Sequence, residues 1–414
     1  MLATIKASAL VLGGGAAGCM AAAELGALLG PGRVVLIEKS DRLLAKLLIS
    51  GGGRCNLTHN CPNPQMLLEA YPRGNPFLRN AFTVFGQPET LAWFGRYGVR
   101  THAESDGRMF PTTNRSETVA QALTQAMKQK GVTIYTGCNA HVHKTNGGFE
   151  VVAENQALRF EAPTLLVATG GAPKAQSLDW LNALGQSIVS PVPSIFTFQL
   201  KPHPLADLMG CSVNEVVISL EGSAFSANGP ILITHWGLSG PAVLRISAFA
   251  ARYLHQMAYK ASLRINWLPQ LSETALKAHL LQEKDNSRGR LFRNLNPLLP
   301  SRLWLTLAEQ SGIPVDRKVA EINNKILMTF AAQLQGSIYS ISGKTSYKEE
   351  FVTAGGIALE GIHPTSMESK AVPGLYFAGE VMDVDGITGG YNFQAAWSTG
   401  FLAAHSMAAR LHHA

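Results

Sequence analysis

Two hydrophobic rhythms alternate along the chain. Short, unbroken apolar runs at residues 10–12, 34–37 and 165–168 predict strands buried on both faces, as in a parallel sheet. An Ala-rich apolar helix follows the first run, and residues 393–411 predict a second apolar helix near the end of the chain. Leu91, Phe94 and Tyr97 fall at helical spacing over residues 88–97, and Gly98 ends that segment. Ser116 is placed to cap a helix running to Lys130, with Glu117 in its first turn. Residues 108–111 read as a short strand after a turn at Asp106-Gly107, and residues 132–135, 140–143 and 149–153 predict a small meander inserted into the sheet.

The rhythm changes at Pro191-Val192-Pro193. Alternation over residues 194–200 and 215–220 predicts β-structure to about Leu268, including a strand, a glycine turn and a helix over residues 231–253 with Ser239 as its cap. From Ser272 to about Gln335 the period is helical, broken at Pro297, Pro300 and Pro314. Residues 373–380 then read as a strand ending in glycine and acid, and residues 383–392 as a tight loop before the last helix.

Composition narrows the class. With 414 residues, 46% of them hydrophobic and 15% charged, the chain is an ordered globular protein of two or three domains. No charge appears between Lys6 and Glu24, but glycines interrupt that stretch, so it reads as strand plus helix rather than a leader or a membrane span, and no stable membrane association is expected. The five cysteines are scattered without a C-x-x-C pair, which argues against a disulfide framework and a structural zinc site and fits a reducing cytoplasm. The sequon at Asn56-Leu57-Thr58 matters only in a secreted protein. A net charge of +7 favours acidic or polyanionic partners. Lys284, Arg288, Arg290, Arg293 and Arg302, interleaved with Phe292 and Trp304 and opposed by Asp285, fit either RNA contact or a solvated helical face.

Candidate chemistry concentrates at glycines. Gly13, Gly15 and Gly18, with Ala16 and Ala17 between them, satisfy G-x-G-x-x-G between strand and helix, the arrangement that admits a pyrophosphate. Glu38 lies 20 residues after Gly18, at the end of the second strand and before Lys39, where a carboxylate accepts hydrogen bonds from a ribose. Ser50-Gly51-Gly52-Gly53-Arg54-Cys55-Asn56 offers a second clamp, three glycines exposing N–H groups and Arg54 adding charge, with a surface loop as the plainer reading. Thr169 and Gly170 end the third strand and either meet a dinucleotide or form an ordinary turn. Gly379, Glu380, Asp385, Gly389, Gly390, Tyr391 and Asn392 precede or open the last helix, whose N-terminus suits negative charge on a ring. His235 is either a proton donor or a residue packed beside Trp236.

Taken together these stretches resemble the two-dinucleotide-binding-domain flavoproteins and, more narrowly, the BaiN/YhiN-type flavoprotein family of NAD(P)/FAD-dependent oxidoreductases. The resemblance also covers residues 107–111, 234–241, Phe351 to Gly356, Met367 to Lys370 and 374–400. It departs after Gly171, where many relatives carry a Gly/Ser-rich turn with an acid and this chain has Ala172-Pro173-Lys174-Ala175-Gln176. It implies an α/β fold with a bound FAD: a Rossmann-like FAD-binding domain over residues 1–192 and 342–414, interrupted by a β-barrel-like domain at 193–268 and 336–341 and a helical insertion at 269–335. Reduction of carbon–carbon double bonds is the implied activity, in 3-oxo bile-acid dienes or in uridine of ribosomal RNA.

The expected enzyme is therefore an ene-reductase, taking hydride from NAD(P)H through FAD and acting on a small molecule or on ribosomal RNA. An amine oxidase using oxygen is the third reading. No second G-x-G-x-x-G is present, so NAD(P)H would visit the flavin transiently or be replaced by another reductant. Cys55 is the first candidate for the proton donor, with a buried packing residue as its alternative; Tyr391 and His235 follow.

Overall fold

The structure is a computed structural model that describes residues 2–172, 174–295, 297–345 and 352–413; Pro173 and Phe351, in two of the stretches singled out above, lie outside the described residues. The chain forms two compact units, residues 1–194 with 347–414 and residues 195–346.

The first unit is built on a five-stranded parallel sheet in the order Leu375–Phe377, Thr164–Val167, Ala9–Leu12, Val34–Ile37, Thr133–Tyr135. Ala9–Leu12, Val34–Ile37 and Thr164–Val167 are buried at every position, as a central parallel strand covered on both faces requires, hence their apolar sequence, broken only by Thr164, whose hydroxyl donates to Ser8 O at 3.1 Å. The helices Ala16–Leu29 and Tyr391–His413 pack on one another through small residues. A Cβ at Gly400 would lie 2.5 Å from the Ala17 carbonyl oxygen, so glycine there sets how closely the helices approach.

The predicted meander divides between two sheets. Thr133–Tyr135 is the edge strand of the parallel sheet, whereas Ala140–Thr145 and Gly148–Ala153 join Leu158–Ala162 and Ala3–Lys6 in a separate four-stranded sheet. A three-stranded sheet of Thr58–His59, Arg108–Pro111 and Thr101–Ala103 lies beyond the glycine-rich segment.

In the second unit six strands close into a barrel, in the order Thr197–Leu200, Gly237–Ser239, Ser226–Ile233, Ser212–Leu220, Ala261–Asn266, Ser337–Thr345. The helices Glu273–Asn286, Ser301–Gln310 and Asn324–Gly336 account for its helical period. The helix expected to run to Tyr253 is interrupted at Ala250 into Pro241–Phe249 and Ala251–Gln256.

Both predicted serine caps are corrected. Gly240, at φ +99°, holds the N-cap position that Ser239 was expected to fill. Ser116 is already helical, and its hydroxyl donates to Leu48 O at 2.7 Å. In each case tertiary geometry outweighs a local capping bond of about 1 kcal/mol.

Candidate active site

The turn after Ala9–Leu12 is shaped by backbone crowding. A Cβ on Gly13 would come 2.4 Å from Ala168 O, and one on Gly18 would come 1.9 Å from Gly13 O; at Gly15 nothing lies within 4 Å. The turn is therefore closed toward the sheet and open at Gly15. Gly15 is the N-cap of the first helix, contributes no side-chain bond, and leads into a first turn without an acid. The N–H groups around Ala16, Ala17 and Gly18 thus start a helix whose positive end receives no side-chain cap, a setting for a phosphate.

Glu38 closes this end. Its carboxylate accepts from Gly14 N at 2.5 Å and Ser40 N at 2.8 Å, while Lys39 points into solvent. Thr169 is exposed and borders the same turn, its Cα 3.0 Å from where a Gly13 Cβ would stand; Gly170 follows at φ +76°.

The glycine-rich segment is a helix, Ala45–Gly53, that loses its helical path at Ser50 (ψ 149°) and continues through Gly51, Gly52 and Gly53 with φ of 57°, 67° and 82°. Three consecutive left-handed residues present successive N–H groups to one side, and Gly52 and Gly53 have open space where side chains would be. Arg54 is not an unengaged clamp for phosphate. It pairs with Glu104 at 2.7 Å and lies 4.0 Å over the Phe110 ring; Arg108 shares Glu104. Asn56 is buried and accepts from Met109 N at 3.2 Å. Cys55 is fully buried, and burial pushes its thiol up to about 12, with Ser50 pulling the other way. It is a protonated group without exposed surface.

The far end of the chain supplies the remaining side. Glu380 Oε1 accepts from Thr353 N at 2.9 Å, and Oε2 pairs with Lys46 Nζ at 3.1 Å, tying this carboxylate to the glycine-rich segment. Gly379 N donates to Thr399 Oγ1 in the last helix at 3.0 Å. Asp385 is fully buried and bridges the Arg73 guanidinium and the Ser194 hydroxyl. Burial pushes its carboxyl up, and Arg73 and Ser194 offset part of that rise. Asn392 closes the loop on itself, accepting from Gly386 N at 2.8 Å and donating to Gly386 O at 2.9 Å. Gly389 and Gly390 have φ of 128° and 92°, and Tyr391, half-buried, begins the helix.

Within the first unit the fold thus gathers residues 13–18, 38–39, 50–56, 169–170 and 379–392. His235 belongs to the second unit, exposed and edge-on to Trp236 at 4.4 Å. Arg73, Ser194, Lys46, Thr353 and His59 were not singled out from the sequence. Lys46, five residues before Gly51, and Thr353, within the stretch Phe351 to Gly356, stand beside motifs; Arg73 and Ser194 stand isolated in sequence.

The basic segment of the second unit is mostly occupied. Arg288 pairs with Asp285, Arg293 with Asp316, Lys284 bonds Ile322 O and Asn324, and Arg302 bonds Asp207 O. Phe292 and Trp304 are buried and stacked on one another, so they are core and do not present faces to nucleobases. Among the described residues there is no cluster suited to a metal ion, and no helix is long and apolar enough to cross a membrane.

Residues 7–406 match the HI0933-like protein Rossmann domain family. The chain is 30% identical over 411 residues to the 3-dehydro-bile acid delta(4,6)-reductase of Clostridium scindens, covering 97% of this chain and 98% of that protein. It is equally 30% identical, over 416 residues, to the ribosomal RNA dihydrouridine synthase of Escherichia coli, with 97% and 98% covered. Among solved structures, the 3-ketosteroid delta1-dehydrogenase of Sterolibacterium denitrificans superposes with a TM-score of 0.52 at 13% identity, covering 98% of this chain and all (100%) of that one. The 3-ketosteroid-delta4-(5alpha)-dehydrogenase of Rhodococcus jostii gives 0.51 at 12%, with 96% and 97% covered. At those identities the structural likeness shows the fold.

Proposed function

Because the chain belongs to the HI0933-like family, we propose that it is an FAD-dependent reductase of carbon–carbon double bonds conjugated to a carbonyl. The observation that carries this reading is the continuous cradle of the first unit. It comprises an open Gly15 at an uncapped helix start, a carboxylate at Glu38, left-handed glycines at 51–53, and a second carboxylate at Glu380. Residues 13–18 suit the pyrophosphate, Glu38 the adenosine ribose, Glu380 the sugar-alcohol chain, and residues 50–56 and 389–392 the ring. FAD bound there supplies hydride transfer from a nicotinamide to the alkene's β-carbon.

The chain's own part is to exclude water and deliver a proton to the neighbouring carbon. Of the three candidates for that proton, Tyr391 fits best, being half-buried where the glycine loop meets the last helix. Cys55 has no surface to offer a substrate, and we assign it to packing. The five cysteines, scattered without a C-x-x-C pair, support a cytoplasmic setting.

The two curated relatives named above share one chemistry: a 3-oxo diene and uridine both present an alkene conjugated to a carbonyl. The test separates them. Purified protein is expected to be yellow and to oxidise NAD(P)H faster when a conjugated enone is added. Nucleosides of ribosomal RNA from a deletion strain are compared with wild type; loss of a dihydrouridine selects RNA as substrate. Colourless protein with no acceptor-dependent NAD(P)H oxidation, or oxygen consumption with amines alone, overturns the reductase reading.

A further inference from the structure

The loop that ends in Tyr391 is held by a histidine to which nothing above gives a role. His59 Nδ1 lies 3.0 Å from Gly389 O, and the imidazole stacks on Tyr391 with centroids 4.6 Å apart and planes inclined by 21°. A carbonyl oxygen can only accept, so Nδ1 carries the proton. The space around the ring is reserved for it. A Cβ at Gly107 would stand 2.4 Å from His59 Nε2, and one at Gly390 would stand 2.5 Å from the Thr58 carbonyl. Burial pushes the imidazole below its ordinary pKa, while Gly389 O and the charge of Asp106 pull the other way without reversing the shift, so the ring is neutral at neutral pH. Asp106 is itself paired with Arg108, and Tyr391 meets Tyr71 edge-on.

Peptide planarity converts this bond into an orientation. In a trans peptide the carbonyl and the following N–H point in opposite directions. A Gly389 carbonyl turned toward His59 therefore turns the Gly390 N–H away from it, at the start of the helix Tyr391–His413. Such a helix start carries roughly half a positive charge.

We propose that His59 is a positioning residue for the flavin: Nδ1 donates to Gly389 O and so aims the Gly390 N–H, together with the first N–H groups of the last helix, at the ring that accumulates negative charge on reduction. This rests on the FAD reading above. Two substitutions separate the donor from the ring. His59→Phe keeps the stack on Tyr391 and removes the donor, whereas His59→Asn places an amide nitrogen where Nδ1 was.

The apoprotein is titrated with FAD by fluorescence, and the midpoint potential of the bound flavin is measured. His59→Phe is expected to bind FAD about three- to tenfold more weakly, the worth of one hydrogen bond, and to shift the potential to more negative values; His59→Asn is expected to restore both. A His59→Phe protein matching wild type in affinity and potential overturns the proposal alone, as does a His59→Asn protein as impaired as His59→Phe. Wild-type protein that takes up no FAD overturns the flavin reading and this proposal with it. Should His59→Phe fail to fold, the ¹⁵N spectrum of the wild-type imidazole decides: a neutral ring protonated at Nε2 overturns the assignment, and one protonated at Nδ1 supports it.

Discussion

The turn at residues 13–18 and the loop at residues 383–392 border the same cradle and are stabilised differently. The turn takes its shape from backbone groups of adjoining strands: Gly13 N donates to Ile37 O at 2.8 Å, and Ala168 N donates to Leu12 O at 2.8 Å. The loop is pinned from a distance, by Arg73 and Ser194 on Asp385, by Ala70 O on Ile387 N at 2.9 Å, and by His59 on Gly389. A backbone-built turn tolerates change wherever its surface is open and nowhere else. A loop anchored by a buried ion pair depends on a partner far away in sequence, and fails when that partner is lost.

That contrast can be broken most forcefully at Arg73. Replacing it with Met leaves the Asp385 carboxylate buried without its counter-charge, and stability is expected to fall by about 3–5 kcal/mol, read from denaturant melts. The double substitution Arg73→Met with Asp385→Leu is expected to recover most of that loss. If Arg73→Met melts like wild type, the loop is held by its backbone just as the turn is.

Gly15→Asp probes the turn with the opposite outcome. Open space surrounds the new Cβ, so melting is expected to stay near wild type. FAD affinity, measured by titration, is expected to fall on the order of a hundredfold, because like-charge juxtaposition with the pyrophosphate costs several kcal/mol. A Gly15→Asp protein that retains full flavin would show that the open side of the turn does not face the cofactor.

Glu24 sharpens the comparison with a smaller effect, because it links the first and last helices behind both regions. Its carboxyl accepts from Trp93 Nε1 at 2.7 Å and pairs with His405 at 3.1 Å. Burial pushes its pKa up, but the bonds from His405 and Trp93 and the charges of His405 and Arg96 bring it below its ordinary value of 4.5. A depressed carboxyl contributes stability that is present above the unfolded pKa and lost as pH falls through the folded one. Glu24→Gln is expected to cost about 1–2 kcal/mol at neutral pH, with the difference from wild type closing below about pH 4.5. Equal differences at pH 7 and pH 3.5 would contradict this.

The same contrast explains what the sequence disclosed. The glycine turn and Glu38 are written within a short span, and their physical requirements are local, so spacing alone exposes them. The partners of Asp385 were not legible because a lone arginine at position 73 and a serine at 194 carry no pattern; only folding places them together. Alternation over residues 194–200 and 215–220 signals strands, but closure into a barrel is a property of pairing between Thr197–Leu200 and Ser337–Thr345, which one-dimensional rhythm cannot express. Phe292 and Trp304 looked available for nucleobases because interleaving with arginine resembles a binding stripe; burial against Phe330 makes them core.

The cradle draws on both the first sixty residues and the last stretch of the chain, with Glu380 and Gly379 meeting Lys46 and Ala17. Synthesis on the ribosome proceeds from one to the other. A nascent chain carrying the complete glycine turn still lacks the carboxylate, the pinned loop and the covering helix until its final segment has emerged. With FAD held in the proposed cradle, cofactor capture is expected to follow synthesis, and a stalled or truncated product is expected to be flavin-free however well its first helix has folded.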